Sequence, residues 1–288
     1  MLKLSSPKWL LPGVELPLIE LPTEDGIPLE TNWHRMQMNL LIESVHYHWR
    51  EREDYFTGGN MFIYFSVEQV RNRDYRGPDF FVVKGVDSSH DRAAWIVWEE
   101  YGQYPNVIVE LSSPSTIDVD LGTKKDLYER TFRTPEYFCF DPTAEELIGW
   151  RFTSGHYEPI DPNEQGWLWS EEMDLWLGVW RGEFQRTDAV WLRFYTAEGH
   201  PVLISAEAEA QRAEAEARQV ELEAQRADAE AQRADAEARR ANAEAERANA
   251  AARRAQEETQ RANAAEAELA RLRARLASVG ITYDSASD

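Results

Sequence analysis

The pattern of apolar and polar positions predicts a helix near the start of the chain. Apolar residues recur there at spacings of three and four: Met38, Leu41, Val45 and Trp49. This spacing places them on one face of a helix over residues 31–50, with Thr31 or Asn32 as its cap. We expect that face to pack on a sheet.

Short apolar or β-branched runs, bounded by Gly, Pro or polar residues, predict strands. In the first half they cover residues 61–65, 79–83, 95–98, 107–110 and 136–140. In the second half they cover 147–152, 157–160, 175–179 and 191–195, with hairpin-like turns at Ser154-Gly155 and Glu198-Gly199. A helix capped by Asp120 is predicted over 120–132. The pattern indicates an α/β fold with a β-rich second half.

A seven-residue repeat begins near Ser205. Arginines recur every seven residues from Arg226 to Arg261, and alanines alternate at spacings of three and four from Ala224 to Ala255, as a coiled-coil seam requires. Because alanine buries little surface, the seam predicts either a weak coiled coil or a free helix stabilised by propensity and charge pairs. We expect it to dimerise the protein or to act as a spacer to a partner helix.

These patterns divide the chain into four parts. An extended arm, rich in Pro and Leu, is predicted over 1–29, and a folded domain over 30–204. An alanine-rich heptad helix, the long C-terminal coiled-coil tail, follows over 205–278. The last part, 279–288, is expected to fray.

Composition limits the partners of this chain. Its formal net charge is −21, which counts against tight, non-specific binding to duplex DNA, because such binding needs clustered Lys and Arg. Arg71, Arg73, Arg76 and Lys84 form either a local basic lip or a solvated strand edge. The two interpretations remain open at this stage.

The cellular location is predicted from two features. The single cysteine, Cys139, lies in an apolar run and is expected to be buried and inert, as suits a reducing cytoplasm. The sequence has no signal peptide and no apolar run of membrane-spanning length. A cytoplasmic protein without membrane contact is therefore predicted.

Two carboxylates at strand positions, followed by a lysine, predict a metal-dependent site. Asp79 opens one apolar strand and Glu110 ends another, and carboxylates supply the hard oxygen ligands that Mg²⁺ or Mn²⁺ prefers. Such a metal bridges a phosphate and lowers the pKa of an attacking water, which Lys124 can orient. A structural salt bridge would also satisfy Glu110, and Asp120 is more typical of a helix cap than of a ligand. Solvated lysines would account equally well for Lys124 and Lys125.

Three stretches carry a family resemblance. They are Arg76-Gly-Pro-Asp79, Val109-Glu-Leu-Ser-Ser-Pro-Ser-Thr116, and the series Asp120, Gly122, Lys124 and Tyr128 that leads to Pro135-Glu-Tyr-Phe and Asp141-Pro142. Over residues 30–195 the chain resembles the Uma-two restriction-endonuclease-like family, abundant in cyanobacteria, within the PD-(D/E)xK nuclease superfamily. This resemblance implies a restriction-endonuclease-like mixed central sheet flanked by helices, and Mg²⁺-dependent hydrolysis of DNA.

The resemblance also implies a role for particular residues. Asp79 and Glu110 would be metal ligands, with the carbonyl of Leu111 as a third oxygen. The superfamily's lysine stands two residues after the glutamate, where this chain has Ser112, and the implied replacement is Lys124 on the following helix. The acidic residue of the opening helix has three candidates: Glu51, Glu53 and Asp54.

We therefore expect a metal-dependent endonuclease that cuts DNA through Asp79, Glu110 and Lys124. A homodimer is expected, formed through the nuclease domain or the coiled coil. A second hypothesis is a non-catalytic binding or scaffold protein that keeps a nuclease fold and assembles through its heptads, and the acidity and Ser112 favour it. A third, a metal-dependent phosphodiesterase for RNA or a small nucleotide, shares the same site.

Overall fold

The computed structural model of the chain describes residues 21, 31–66, 68–69, 77–89 and 91–278. It divides into two bodies, one that reaches Gln211 and one that begins at Arg212. Apart from Leu21, the predicted arm over 1–29 lies outside the described residues, and so does the predicted frayed end over 279–288.

The first helix, α1 (Asn32–His48), begins where the sequence predicts it. The backbone N–H of His34 donates to Thr31 Oγ1 (3.3 Å), so Thr31 is the cap. The apolar face packs on a sheet as expected, and its residues Leu41 and Val45 are fully buried. The residue after the helix, Trp49, caps its end, and the N–H of Trp49 donates to Val45 O.

Eleven strands occur in the described residues. They are Tyr55–Gly58 (β1), Ile63–Tyr64 (β2), Phe80–Lys84 (β3), Trp95–Ile96 (β4), Val107–Leu111 (β5), Glu136–Asp141 (β6), Glu146–Thr153 (β7), His156–Pro159 (β8), Leu168–Ser170 (β9), Leu175–Phe184 (β10) and Thr187–Tyr195 (β11). The runs predicted over 61–65 and 95–98 shrink to two-residue strands that pair in parallel. Strands β1 and β9 were not predicted.

The central sheet has six strands in the order β1-β3-β5-β6-β7-β8. Strands β5 and β6 are parallel, and the other neighbours are antiparallel. Helix α1 covers one face together with the three-stranded sheet β11-β10-β9, whose residues Leu192 and Phe194 join the core around Phe80 and Phe138. The predicted α/β class, with a mixed central sheet flanked by helices, is confirmed.

The connection from β5 to β6 is a helix, α2, that covers the opposite face of the central sheet. It has four consecutive segments: an α-helical turn Ile117–Val119, a π-helical turn Asp120–Lys124, an α-helical turn Lys125–Leu127 and a π-helical turn Tyr128–Phe132. The prediction that Asp120 caps this helix is wrong, because the helix begins earlier. The N–H of Ile117 already donates to the carbonyl of Ser113, and Asp120 lies inside the helix on its buried side.

The hairpin β10–β11 is longer than its apolar runs predict. Trp180 pairs with Trp191, and the turn lies at Gln185-Arg186, both with positive φ (48° and 64°). The turn predicted at Ser154-Gly155 is present between β7 and β8. After the turn at Glu198-Gly199 the described part of the chain forms no further strand. It makes a single β-bridge, between Tyr195 and Pro201.

The alanine-rich repeat forms one helix, α3 (Ser205–Ser278). Its first turns belong to the first body, where Arg193 holds Glu207 through two hydrogen bonds (2.9 and 2.7 Å) and Ala208 is buried. All residues over 209–278 are exposed. None of the described helices combines the length and apolar composition that a membrane crossing requires.

Candidate active site

The candidate site lies where β3 begins and β5 ends. These strands are antiparallel, with Phe80 opposite Val109, so Asp79 and Glu110 become neighbours. The backbone N–H of Asp79 donates to Glu110 Oε2 (3.4 Å), and the N–H of Leu111 donates to Asp79 Oδ2 (2.8 Å). The structure thus brings together the two carboxylates that the sequence singled out.

Glu110 is fully buried, yet both of its oxygens have partners. The hydroxyl of Tyr128 donates to Oε1 (2.7 Å), and Nζ of Lys124 lies 3.0 Å from Oε2. The salt bridge considered as an alternative for Glu110 is therefore present, and it joins Glu110 to another candidate site residue. A charged pair and a hydroxyl donor compensate for the loss of hydration.

Lys124 lies between two acidic groups. Its Nζ is also 2.8 Å from Oδ1 of Asp120, four residues earlier on α2, and its side chain is 24% exposed. Lys125 is directed elsewhere, over the rings of Trp150 (5.0 Å) and Tyr157 (5.6 Å). Of the two lysines, Lys124 alone contacts the site carboxylates.

Asp120 is the site residue that sequence reasoning placed wrongly. It is buried, and Oδ2 accepts a hydrogen bond from the hydroxyl of Ser112 (3.0 Å). Ser112, at the position where the resemblance implied a lysine, holds Asp120 instead. The spacing of Asp120 and Lys124 is that of an i,i+4 ion pair and could have indicated their contact.

The carbonyl of Leu111, the implied third oxygen, has a partner on α1. His34 Nε2 lies 3.1 Å from it, and His34 Nδ1 lies 2.9 Å from Thr31 Oγ1. Because a carbonyl only accepts, Nε2 must carry the hydrogen in this contact, and in the neutral ring Nδ1 accepts from the Thr31 hydroxyl. Sequence reasoning did not single out His34.

The three acidic candidates for the opening helix lie away from this site. Glu51, Glu53 and Asp54 follow the end of α1 and are exposed. Tyr55 pairs with Lys84, so this segment meets β3 at the end opposite to Asp79. The expectation that one of the three joins the site is wrong.

Of the four residues considered for a basic lip or a solvated strand edge beside Asp79, only Lys84 lies in the described part of the chain. Arg71, Arg73 and Arg76 lie outside the described residues. Lys84 ends β3, far along the strand from Asp79, and its Nζ forms a 2.6 Å ion pair with Glu172. Lys84 therefore does not contribute to a lip at the candidate site.

Burial and repulsion between neighbouring carboxyl groups raise the pKa values of the acidic site residues Asp79 and Glu110. Burial, together with Asp79 and Asp120, raises the pKa of Glu110 to about 8, although Lys124 opposes the shift. Burial also raises the pKa of Asp79. Burial lowers the pKa of Lys124, but the charges of Glu110 and Asp120 outweigh it and raise that pKa overall. One cation thus faces three carboxylates.

The donor set suits a hard divalent cation. Its groups are carboxyl and carbonyl oxygens, which Mg²⁺ prefers. Among the described residues, no three His, Cys, Asp or Glu side chains form a group that could hold a metal ion, so there is no complete protein cage. Mg²⁺ does not require such a cage, because it keeps several waters.

A comparison with known protein families shows the family to which this chain belongs. The model of the Uma2 family, described as "putative restriction endonuclease", matches residues 23–185, more than half of the chain. The chain belongs to this family. The match includes Asp79, Glu110, Asp120 and Lys124, and the description of the Uma2 family supports a nuclease.

A solved structure is also similar. It is a DUF820 protein from Anabaena variabilis, described as a "putative nuclease", with 14% identity and a TM-score of 0.37. The similarity covers 51% of this chain and 76% of that one. No curated protein matches the chain.

Proposed function

We propose that the protein is a Mg²⁺-dependent endonuclease that hydrolyses phosphodiester bonds in DNA, with Asp79, Glu110 and Lys124 as its catalytic residues. One observation carries the proposal. The three side chains converge where β3 and β5 meet α2, with Lys124 Nζ 3.0 Å from Glu110 Oε2. Membership in the Uma2 family supports the reaction class.

Asp79 and Glu110 would hold the metal, Mg²⁺ or Mn²⁺, with the Leu111 carbonyl as a further oxygen. When bound, the metal would polarise the phosphate and lower the pKa of a coordinated water. His34 fixes the direction of the Leu111 carbonyl through its 3.1 Å contact. Asp79 Oδ2 accepts from the backbone N–H of Leu111, so both backbone polar groups of Leu111 have partners at the site.

Lys124 acts as a cation and a hydrogen-bond donor. Glu110 and Asp120 raise its pKa against the effect of burial, so the amine keeps its proton at neutral pH. A protonated lysine cannot take a proton from water, but it can orient the attacking water and offset charge on the phosphate oxygens. Ser112 and Tyr128 hold Asp120 and Glu110 around it.

Cleavage assays test the assignment. Purified intact protein, Asp79→Ala, Glu110→Ala and Lys124→Ala are incubated with supercoiled plasmid or single-stranded DNA and Mg²⁺ or Mn²⁺. We expect each variant to lose cleavage, while Lys125→Ala, altered at the neighbouring lysine that points away, retains it. Undiminished cleavage by both Asp79→Ala and Glu110→Ala would contradict the proposal.

The same assays separate this function from its alternatives. A scaffold protein with a nuclease fold would cut no nucleic acid under any of these conditions, and no metal binding would depend on Asp79. RNA and small nucleotides, offered in parallel, test the third hypothesis. Preferential hydrolysis of either would reassign the substrate and keep the site.

We further propose that the coiled coil forms by antiparallel pairing of two copies of α3. Taking Ala224 as position a and Ala227 as position d, a parallel pair would oppose acidic residues at g and e: Glu216 to Glu221, Glu223 to Asp228, and Glu230 to Asp235. It would also oppose Glu266 to its own copy. These like-charge contacts disfavour the parallel arrangement.

Antiparallel pairing with Ala217 opposite Leu276 removes most of these repulsions. The e-position pairs become Glu221 with Ala270, Asp228 with Asn263, and Asp235 with Gln256. At positions a and d, Glu266 then faces Ala227, and Arg273 faces Val220. The exposed side chains of Val220, Leu269 and Leu276 would be covered.

The cytoplasmic location remains a prediction.

A further inference from the structure

A cleft of about 400 Å³ opens beside the candidate active site. Four segments form it: the start of α1, the loop that follows β5, the turn that follows β6, and residues 189–190 of β11. All four belong to the first body of the chain.

The cleft and the carboxylate site share a wall. Ser112 lines the cleft, and its hydroxyl donates to Asp120 Oδ2 in the site. His34 also lines the cleft and contacts the carbonyl of Leu111, which follows Glu110. A chain that lies across the end of β5 would therefore meet both places.

The lining of the cleft is unusual for so acidic a protein. It contains no Asp, Glu, Lys or Arg, although the chain carries a net charge of −21. Apolar surface comes from Trp33, Pro114, Pro142 and Val190, and hydroxyl groups come from Thr31, Ser113 and Thr143. Apolar walls with a few hydroxyls suit a flat, heteroatom-rich ring, whereas a bare phosphate would require cations.

Trp33 is held in place as a rigid wall. Its Nε1–H donates to the carbonyl of Val190 (3.0 Å), and its ring stacks on Trp191 with centroids 5.9 Å apart and an interplanar angle of 16°. A fixed aromatic ring at a cleft loses little entropy when a ligand packs on it. Base stacking on aromatic side chains is a common way to hold single-stranded nucleic acid without reading its sequence.

We propose that this cleft receives one unpaired base next to the scissile phosphate, so that the preferred substrate is single-stranded or locally unpaired DNA. The inference rests on the proposed nuclease function and specifies its substrate class. Bases in an intact duplex are stacked and paired and must be extruded to enter such a cleft, at an energetic cost. Stacking would also provide affinity that an acidic protein does not obtain from phosphate contacts.

A binding experiment without catalysis tests the cleft. A fluorescein-labelled oligothymidylate and an abasic strand of equal length are titrated with the full chain in EDTA, and anisotropy gives both dissociation constants. We expect the base-bearing strand to bind about 5- to 100-fold more tightly. Equal affinity for the two strands would overturn the proposal.

Variants then locate the effect. Thr143→Glu places a carboxylate in the cleft, where an entering base would strip its water, and should bring the affinity ratio close to one. Ala144→Glu is the matched control, because Ala144 is exposed in the same turn but does not line the cleft. Trp33→Leu should also reduce the ratio, and Trp33→Phe should keep most of it. Thr143 and Ala144 are both exposed, so we expect both variants to fold. An affinity ratio that Thr143→Glu leaves unchanged would contradict the proposal.

This readout is independent of cleavage. Base-dependent binding that Thr143→Glu removes, in a protein that cuts nothing, would support the cleft and overturn the nuclease. Cleavage by a protein that binds both strands equally would support the nuclease and overturn the cleft.

Discussion

Lys124 reaches Glu110 from a different element: Nζ, carried by helix α2, lies 3.0 Å from Oε2 at the end of strand β5. The π-helical turn Asp120–Lys124 places Asp120 on the same side, so one ammonium contacts two carboxylates. Such turns are frequently found at functional sites. The contact explains how the chain can lack a lysine at position 112 and still place a cation beside Glu110.

Removal of this cation should destabilise the fold. Lys124→Met leaves Asp120 buried without its counter-charge and removes the cation that Glu110 contacts, which is expected to lower the free energy of unfolding by about 3–5 kcal/mol. Urea denaturation at neutral pH measures the loss. Lys125→Met, which loses a partly exposed ion pair with Glu129 and the contacts with two rings, should cost about 1 kcal/mol or less. A Lys124→Met variant as stable as the intact protein would contradict the ion-pair account.

A second substitution should relieve that loss. In Lys124→Met the buried Glu110 must either stay charged without a counter-charge or take up a proton, and both cost free energy at neutral pH. Lys124→Met/Glu110→Gln avoids this cost, so we expect it to be the more stable of the two. The double-mutant cycle with Glu110→Gln alone measures the coupling between the two side chains. Additive effects would mean that Lys124 and Glu110 do not interact in the folded protein.

The raised pKa of Glu110 predicts a pH dependence of stability. In the metal-free native state this carboxyl keeps its proton up to about pH 8, whereas in the unfolded chain it ionises near its ordinary pKa of 4.5. The native state therefore binds more protons between these values, and stability falls as the pH rises through the window, by up to about 1.4 kcal/mol per pH unit. Urea midpoints in EDTA from pH 5 to 8 measure the slope, which Glu110→Gln should flatten. Identical slopes in both proteins would exclude the assignment.

Ser112 should matter through Asp120. Ser112→Ala removes the hydroxyl that donates to the buried Asp120 Oδ2, and we expect a loss of about 1–3 kcal/mol in the free energy of unfolding, together with slower cleavage. Ser115→Ala, in the exposed part of the same loop, serves as the control. If the two variants have the same stability and the same cleavage rate, Ser112 has no such role.

Disulfide trapping tests the pairing of α3. Since Cys139 is buried, any disulfide formed on mild oxidation comes from the introduced cysteines. A mixture of Ala217→Cys and Leu276→Cys proteins should form a mixed disulfide dimer on mild oxidation, because these positions oppose each other in the antiparallel pair. Ala227→Cys alone should not crosslink. A disulfide of Ala227→Cys with its own copy would instead demonstrate parallel pairing.

Much of the site could be predicted because it lies on strong local patterns. The apolar runs around Asp79 and Glu110 define β3 and β5, and a strand that ends in a buried carboxylate is visible in a sequence. The pairing of these strands, which makes the two residues neighbours, is a tertiary property. The family resemblance, rather than periodicity, pointed to Lys124.

Other features escaped prediction for identifiable physical reasons. Asp120 has the residue type of a cap, but the bonds of Ser113 and Thr116 start the helix earlier and turn Asp120 inward. The second half of β10 was missed because Arg181, Gly182 and Glu183 interrupt its apolar run. At Gly178 a Cβ atom would stand 2.3 Å from the Trp167 ring, so glycine there makes room for an aromatic side chain.

The central claim, that Asp79 and Glu110 hold a divalent metal, is tested most directly by calorimetric titration of the full chain with Mn²⁺ at pH 7. We predict binding that releases a proton, since Glu110 must ionise, and that is lost in both Asp79→Ala and Glu110→Ala. Asp126→Ala, an exposed carboxylate on the same helix, should bind as the intact protein does. The absence of binding in the intact protein, or unchanged binding in both site variants, would contradict the account.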